Sequence, residues 1–501
     1  MTKKKKQEAK HEQKKQKVTS RSYTPISDAL SQPNILADNE FNDAFKRFGL
    51  AQLLKQCLNK DRRGDAVDLS QIAMSLMVWP ILKLESVHCF CSELCQYLIH
   101  RGGKSKKPAE IIYSFWGRED INWRTFAQKV TKKVSQALKS NDRSDNCFVL
   151  DDTLKARRGK KVEGSSLHHD HNSRKTVQAQ QVLELGMVND QGFIPLDRQI
   201  YMSSKKAVTK TFKDKRSASA RDMKRAESED KNQMLKRMLK SAIRNGYKAK
   251  YVLADSWFGN KGNLETILNE GLHAIFQMKR GNQTYQVDGT IHTAQTLHTK
   301  YQRRLESTSE EGLYKTYRIE AEINLETNPK KPERWQKVAL VLSAPKRSES
   351  GNWVIFLSTD LSLNAEEILS IYAKRWSIEV YFKEAKQSFG LLAEQSGKYQ
   401  VSYASIHLAA VRYLIIYEAM QRKGTISFGE QRDKISGTLQ ILTYSGLLWQ
   451  LFRSLITGVL NKMQNLTKTI TEDLLERLDL AVEEFLNQAF QIEPSKESTL
   501  C

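Results

Sequence analysis

Apolar residues recur at three- and four-residue spacing along Glu40 to Asn59, Leu69 to Arg101 and Asn122 to Ser140, the pattern of helices that bury one face. Asn122 stands where a side chain can cap the last of them. The pattern changes at Asn146. Cys147-Phe148-Val149-Leu150 is a short apolar run of the kind that forms a buried strand. Val177 to Val188, Gly192 to Ile200 and Lys250 to Ala254 predict three more strands. Lys205 to Lys250 reads as a helical stretch, and Tyr285 to Asp360 is rich in strand formers, clearest at Tyr314 to Ile323, Val338 to Ser343 and Trp353 to Ser358. Glu366 to Phe389 predicts one helix stopped by Gly390, and helical periodicity continues to about Phe490.

These segments predict an α/β fold with helical regions at both ends. The divisions expected are a basic tail over 1–22, a helical region over 38–145 suited to binding DNA ends, a strand-bearing core over 146–391, and a helical C-terminal region over 392–490. With 40% hydrophobic residues the chain can bury a large core.

Charge narrows the function. Lys and Arg number 80 against 57 Asp and Glu, a formal net charge of +23. A polyanion is the natural partner, because each neutralised phosphate releases counterions. Residues 1–22 hold nine Lys/Arg and two Glu and are expected to be disordered, touching phosphates without reading sequence. Residues 205–250 hold 16 Lys/Arg and five Asp/Glu and are expected to line a DNA path. No run of 18 uncharged apolar residues occurs, and the start, MTKKKKQEAKHEQKKQK, has no apolar stretch, so neither a membrane span nor a secretory signal is expected. Cys57, Cys89, Cys91, Cys95, Cys147 and Cys501 fit reduced thiols. The spacing from His88 to Cys95 is not that of a zinc site and reads as core packing. His168-His169-Asp170-His171 reads as a solvated or DNA-contacting loop rather than a metal site.

Three acidic positions carry candidate chemistry. Phe148-Val149-Leu150-Asp151-Asp152-Thr153 and Tyr251-Val252-Leu253-Ala254-Asp255-Ser256 each run an apolar strand into a carboxylate, and sites in α/β folds gather at strand ends. The third is Glu379. Tyr372, Arg375, Glu379 and Lys386 lie at offsets 0, 3, 7 and 14, which at ~100° per residue fall near 0°, −60°, −20° and −40°. They share one stripe, and Lys383 lies close beside it. Two strand-end carboxylates and one on a helix suit a two-metal phosphoryl-transfer site, since hard cations prefer oxygen ligands. The cations on the stripe suit a nucleic-acid backbone. Strand alternation sends Asp151 and Asp152 to opposite faces; either can be the first acid.

Asp-Asp-Thr after one strand, Leu-Ala-Asp-Ser after a later one, and Tyr372-x2-Arg375-x3-Glu379-x6-Lys386 resemble the signatures of DDE transposases of the insertion sequence four family, the last being its YREK motif. The resemblance spans about Cys147 to Leu391. It implies a ribonuclease-H-like catalytic core with a β-rich insertion, about 276–360, and selects Asp151 over Asp152. It also implies Asp151, Asp255 and Glu379 as catalytic residues and metal ligands for two Mg²⁺ ions, with Mn²⁺ able to substitute. Tyr372, Arg375, Lys386, Lys383 and Trp257 become DNA-binding residues, Trp257 by stacking a flipped base. The implied partners are double-stranded DNA, as terminal inverted repeats and target, and a second copy of the chain when two ends are synapsed. The implied setting is a prokaryotic cytoplasm, at the nucleoid. A nuclease that only hydrolyses, or an inactive transposase-derived DNA-binding protein, are the alternative readings.

Overall fold

The computed structural model describes residues 40–58, 69–82, 86–93, 108–159, 161–170, 173–307, 313–328, 330–346, 352–423, 427–428, 448–449, 451–463 and 468–489. The basic tail over 1–22 and Cys95 lie outside them. The chain forms two compact units, one of 1–51, 62–115 and 426–501, the other of 52–61 and 116–425.

The early helices are α1 (Glu40–Phe48), α2 (Leu50–Lys55), α3 (Leu69–Val78), α4 (Val87–Glu93) and α5 (Pro108–Trp116). The periodicity of Glu40 to Asn59 is therefore divided, because Gly49 turns through a left-handed conformation at φ +61°. The long helix expected over Leu69 to Arg101 is also two where it is described. Pro80, which lacks a donor and disfavours helix before it, follows the end of α3. Residues 94–101 are outside the described set.

In the second unit, α6 (Trp123–Ala137) begins at Asn122, whose side chain accepts from the Thr125 N–H at 3.1 Å. There follow β1 (Cys147–Ala156), β2 (Ser166–Asp170), β3 (Lys175–Asn189), β4 (Gly192–Tyr201), α7 (Ala218–Ser228), α8 (Lys231–Arg244), β5 (Tyr251–Ala254), α9 (Lys261–Asn269) and β6 (His273–Met278). The basic stretch is thus two helices. Asp230 separates them by closing a capping box with Gln233. Next come β7 (Thr284–Val287), β8 (Thr290–Thr293), α10 (Ala294–Tyr301), β9 (Glu306–Ser307), β10 (Tyr314–Asn324), β11 (Trp335–Pro345), β12 (Val354–Ser358), α11 (Ala365–Ala373), α12 (Trp376–Gln387) and α13 (Tyr399–Lys423). In the first unit α14 (Lys468–Ala489) closes the described chain.

The described strands form one mixed sheet, in the order β2-β3-β1-β5-β6-β12-β11-β10-β7-β8, with β4 also on β3 and β9 on β10. β1, β5 and β6 are parallel, whereas β3 is antiparallel to β1 and to β4. The antiparallel strands β10, β11 and β12 continue the sheet from β6. Helices α6, α7, α8, α12 and α13 pack against β4, and α12 also against β1. Phe148, Val149 and Leu150 are wholly buried. Each such side chain contributes ~1.5–3 kcal/mol on removal from water. That burial holds the register of β1 and so fixes which way the following aspartates point. Among the described residues no helix is long and apolar enough to cross a membrane.

Candidate active site

Leu150 of β1 lies beside Ala254 of β5 in the parallel pair, and the next residue on each chain is an aspartate. Asp151 and Asp255 therefore leave adjacent chains at one level. The strand-end picture holds for Asp255 but not for Asp151, since β1 runs on to Ala156. What stops at Leu150 is the pairing with β5.

Alternation then separates the two aspartates of β1. Asp151 faces helix α12: its Oδ2 accepts from Arg375 Nη1 at 2.6 Å. Asp152 points the other way, accepting from Lys231 Nζ of α8 at 2.6 Å and from Gln181 Nε2 of β3 at 2.5 Å. Arg375 also donates from Nη2 to Glu379 Oε1 at 2.5 Å, so one guanidinium joins Asp151 to Glu379. Burial, and then the fields of Asp255 and Asp152, push the Asp151 carboxyl up to about 7 against the pull of Arg375. Burial and Asp152 likewise raise Asp255, which accepts from the Trp257 N–H at 3.0 Å.

The helix carrying Glu379 is not continuous. Between α11 and α12 the bonds from Lys374 N to Ile371 O, Arg375 N to Tyr372 O and Ile378 N to Arg375 O span three residues, a 3₁₀ tightening. Gly390, at φ +69°, follows the end of α12 as expected. The Tyr372 ring lies 5.7 Å from Arg375 Cζ and 4.7 Å from the Phe356 ring, and burial pushes its phenol up to about 12. The Tyr372 hydroxyl and Arg375 Nε are both buried with no hydrogen-bond partner among the described residues.

The other stripe residues are placed differently. Lys386 is half-buried, and the charges acting on it are Lys155, Asp170 and Asp152; burial, then Lys155, lowers its pKa. Lys383 is exposed. Lys374, off the stripe and outwardly a surface charge, is ion-paired to Asp190 at 2.8 Å and to Asp145 at 3.3 Å. Trp257 is 40% exposed beside Asp255, so it is no core residue, and Lys231 Nζ stands 4.6 Å from its ring. His168 lies in β2 rather than a loop, buried, with Nε2 2.8 Å from Ser166 Oγ.

Sequence reasoning missed Lys231 and Gln181 as individuals. A residue just after the Asp230 cap was the only signal for Lys231, and Gln181 had none. Among the described residues no three His, Cys, Asp or Glu side chains are grouped to hold an ion as they stand; a guanidinium lies between Asp151 and Glu379.

No curated protein matches the chain. Among solved structures it resembles a piggyBac transposase synaptic complex with hairpin DNA at 12% identity, covering 93% of this chain and 87% of that one, TM-score 0.42. It also resembles the NurA nuclease from Sulfolobus solfataricus at 15% identity over 50% and 81%, TM-score 0.23. A third likeness is a Drosophila P element transposase strand transfer complex, at 8% identity over 91% and 99%, TM-score 0.20. Residues 100–340, which contain Asp151, Asp152, Lys231 and Asp255 and stop short of Glu379, match the family model described as DDE superfamily endonuclease.

Proposed function

We propose that this chain is a cut-and-paste DNA transposase: it binds the ends of a mobile element, cleaves them by metal-dependent phosphoryl transfer and joins them to target DNA. The observation that carries this reading is the Asp151–Arg375–Glu379 bridge beside Asp255, which brings three carboxylates and a cation from β1, β5 and α12 to one place. The match of residues 100–340 supports the endonuclease part, and the net charge of +23 supports a DNA partner. The order β4-β3-β1-β5-β6, with β1, β5 and β6 parallel, is that expected of a ribonuclease-H-like core and supports that assignment. The Tyr372, Arg375, Glu379 and Lys386 spacing supports membership among the YREK transposases.

The donor set fits divalent magnesium, with manganese as a substitute. Asp151 and Asp255 are oxygen donors whose carboxyls are raised by burial and acidic neighbours, a repulsion that a divalent cation relieves. Asp151, Asp255 and Glu379 would hold it, and two such ions would stabilise the attacking and leaving oxygens of an in-line displacement. Arg375 neutralises Asp151 and Glu379 before DNA arrives and then turns to the scissile phosphate. Its buried Nε and the Tyr372 hydroxyl are donors without protein partners among the described residues and suit phosphate oxygens. Lys383 and Lys386 hold the flanking backbone. Trp257 stacks a base next to Asp255, with Lys231 fixing its ring. Two copies act together on two ends.

The test is a strand-transfer assay with DNA carrying the inverted repeats that flank this reading frame. Joined products support the transposase. Hydrolysis without joining makes it a nuclease only, and binding without cleavage makes it a DNA-binding relic.

A further inference from the structure

Away from the three carboxylates, helices α6, α7 and α8 line a half-open cavity of about 270 Å³, room for several waters or a phosphate group. The spacing of its lining follows from helix geometry. Arg221, Asp222 and Arg225 of α7 lie at offsets 0, 1 and 4, and Arg237, Ser241 and Arg244 of α8 at 0, 4 and 7, so each set falls on one face. Arg124 of α6 and Asp197 of β4 form the floor.

The arginines of the floor are all ion-paired. Arg124 lies 3.3 Å from Asp197 and 3.2 Å from Asp222, and donates to the carbonyl of Arg198 at 2.8 Å. Arg237 is held by both oxygens of Glu229 at 2.8 and 3.0 Å. The rim is not balanced. Arg221, Arg225 and Arg244 are exposed there and make no ion pair among the described residues. Five arginines thus gather at one cavity against three acids, Asp197, Asp222 and Glu229, an excess of two positive charges. Burial and the neighbouring Arg124 and Arg237 hold the Arg225 guanidinium below its usual value, against the opposing pull of Asp222 and Glu229.

We propose that this cavity is a phosphate-binding site, and that its occupant is a backbone phosphate of DNA held away from the three carboxylates. The guanidinium fork suits the bidentate recognition that phosphate offers. α8 links the two places, since Lys231 at its first turn meets Asp152 while Arg237 to Arg244 face the cavity. A duplex anchored here is held at a second point along its length. The choice of DNA as occupant rests on the transposase reading; the oxyanion chemistry of the cavity does not.

The experiment uses the full chain and the double variant Arg221→Ala/Arg225→Ala, whose residues lie on an exposed rim. Lys224→Ala/Lys236→Ala removes the same number of charges from helices α7 and α8 outside the cavity. Duplex affinity is measured against salt concentration. The rim variant should bind roughly tenfold or more weakly, and its log–log salt slope should be shallower by about one for each phosphate left without its arginine. The control should change clearly less. Equal weakening in both variants, or an unchanged rim variant, overturns the proposal. If the wild type binds no DNA, the transposase reading fails instead, and calorimetric titration with inorganic pyrophosphate decides the cavity. Binding that disappears in the rim variant shows a free phosphate ligand as occupant, and no binding overturns the site altogether.

Discussion

Arg375 donates to Asp151 across 224 residues of chain at 2.6 Å and to Glu379 four residues away at 2.5 Å. It is thus the link between strand β1 and helix α12, and it sits where a cation between the two carboxylates would sit. An arginine can span both because its fork carries several donors in a fixed plane, which a lysine lacks.

The first expectation follows from that bridge. Arg375→Ala should slow single-turnover cleavage by about 10²-fold, the scale of a ~1 Å misplacement of reacting groups, while overall DNA affinity falls modestly. Arg375→Lys should restore charge without restoring the rate. Lys337→Ala, which removes one exposed charge from β11, is the control. Lys374 is unsuited to that purpose because its pairs with Asp145 and Asp190 are structural. A full rate in Arg375→Ala would remove the bridge from the mechanism.

The acids come next. Asp151→Asn, Asp255→Asn and Glu379→Gln should each abolish cleavage and leave DNA binding near wild type, since an amide keeps the shape but is a poor ligand for magnesium. Asp152→Asn should retain measurable cleavage, because Asp152 is held by Lys231 and Gln181 on the opposite face. A dead Asp152→Asn with an active Asp151→Asn would reverse the assignment.

Metal should also register without chemistry. If a cation relieves the repulsion around Asp151 and Asp255, saturating Mg²⁺ should raise the melting temperature of the DNA-free protein, and EDTA should reverse the rise. At about a hundred times the dissociation constant the gain is ~2.7 kcal/mol. Asp255→Asn should lose most of the shift. An equal shift in that variant would mean that the ion binds elsewhere.

His168 gives a pH signature. Burial, and then the charge of Lys231, lower its pKa from 6.5 to about 4. The folded state therefore keeps it neutral where the unfolded chain takes up a proton. Its contribution to stability is complete above pH 6.5 and is lost as pH falls toward 4, to a ceiling of ~3 kcal/mol. Denaturant melts of wild type and His168→Gln should converge across that window as pH falls. Parallel curves would show that His168 does not titrate differently on folding.

Two local periodicities carried most of what was legible in the sequence. The period-two alternation of β1 separates Asp151 from Asp152, and the apolar runs before Asp151 and Asp255 mark their strands. These follow from backbone geometry within a few residues, so they survive without knowledge of the fold. The grouping of Tyr372, Arg375 and Glu379 was legible for the same reason. Lys386 was not, because its surroundings are set by Lys155 and Asp170 from strands far away in sequence. The β1 strand outlasting Asp151, the pairing of Lys231 with Asp152, the burial of His168 in β2 and the arginine-lined cavity were decided only by tertiary structure. Each depends on which strand stops beside which, or on which helix packs where. Such packing is fixed by the burial of many apolar side chains at once, and no local pattern of charges encodes it.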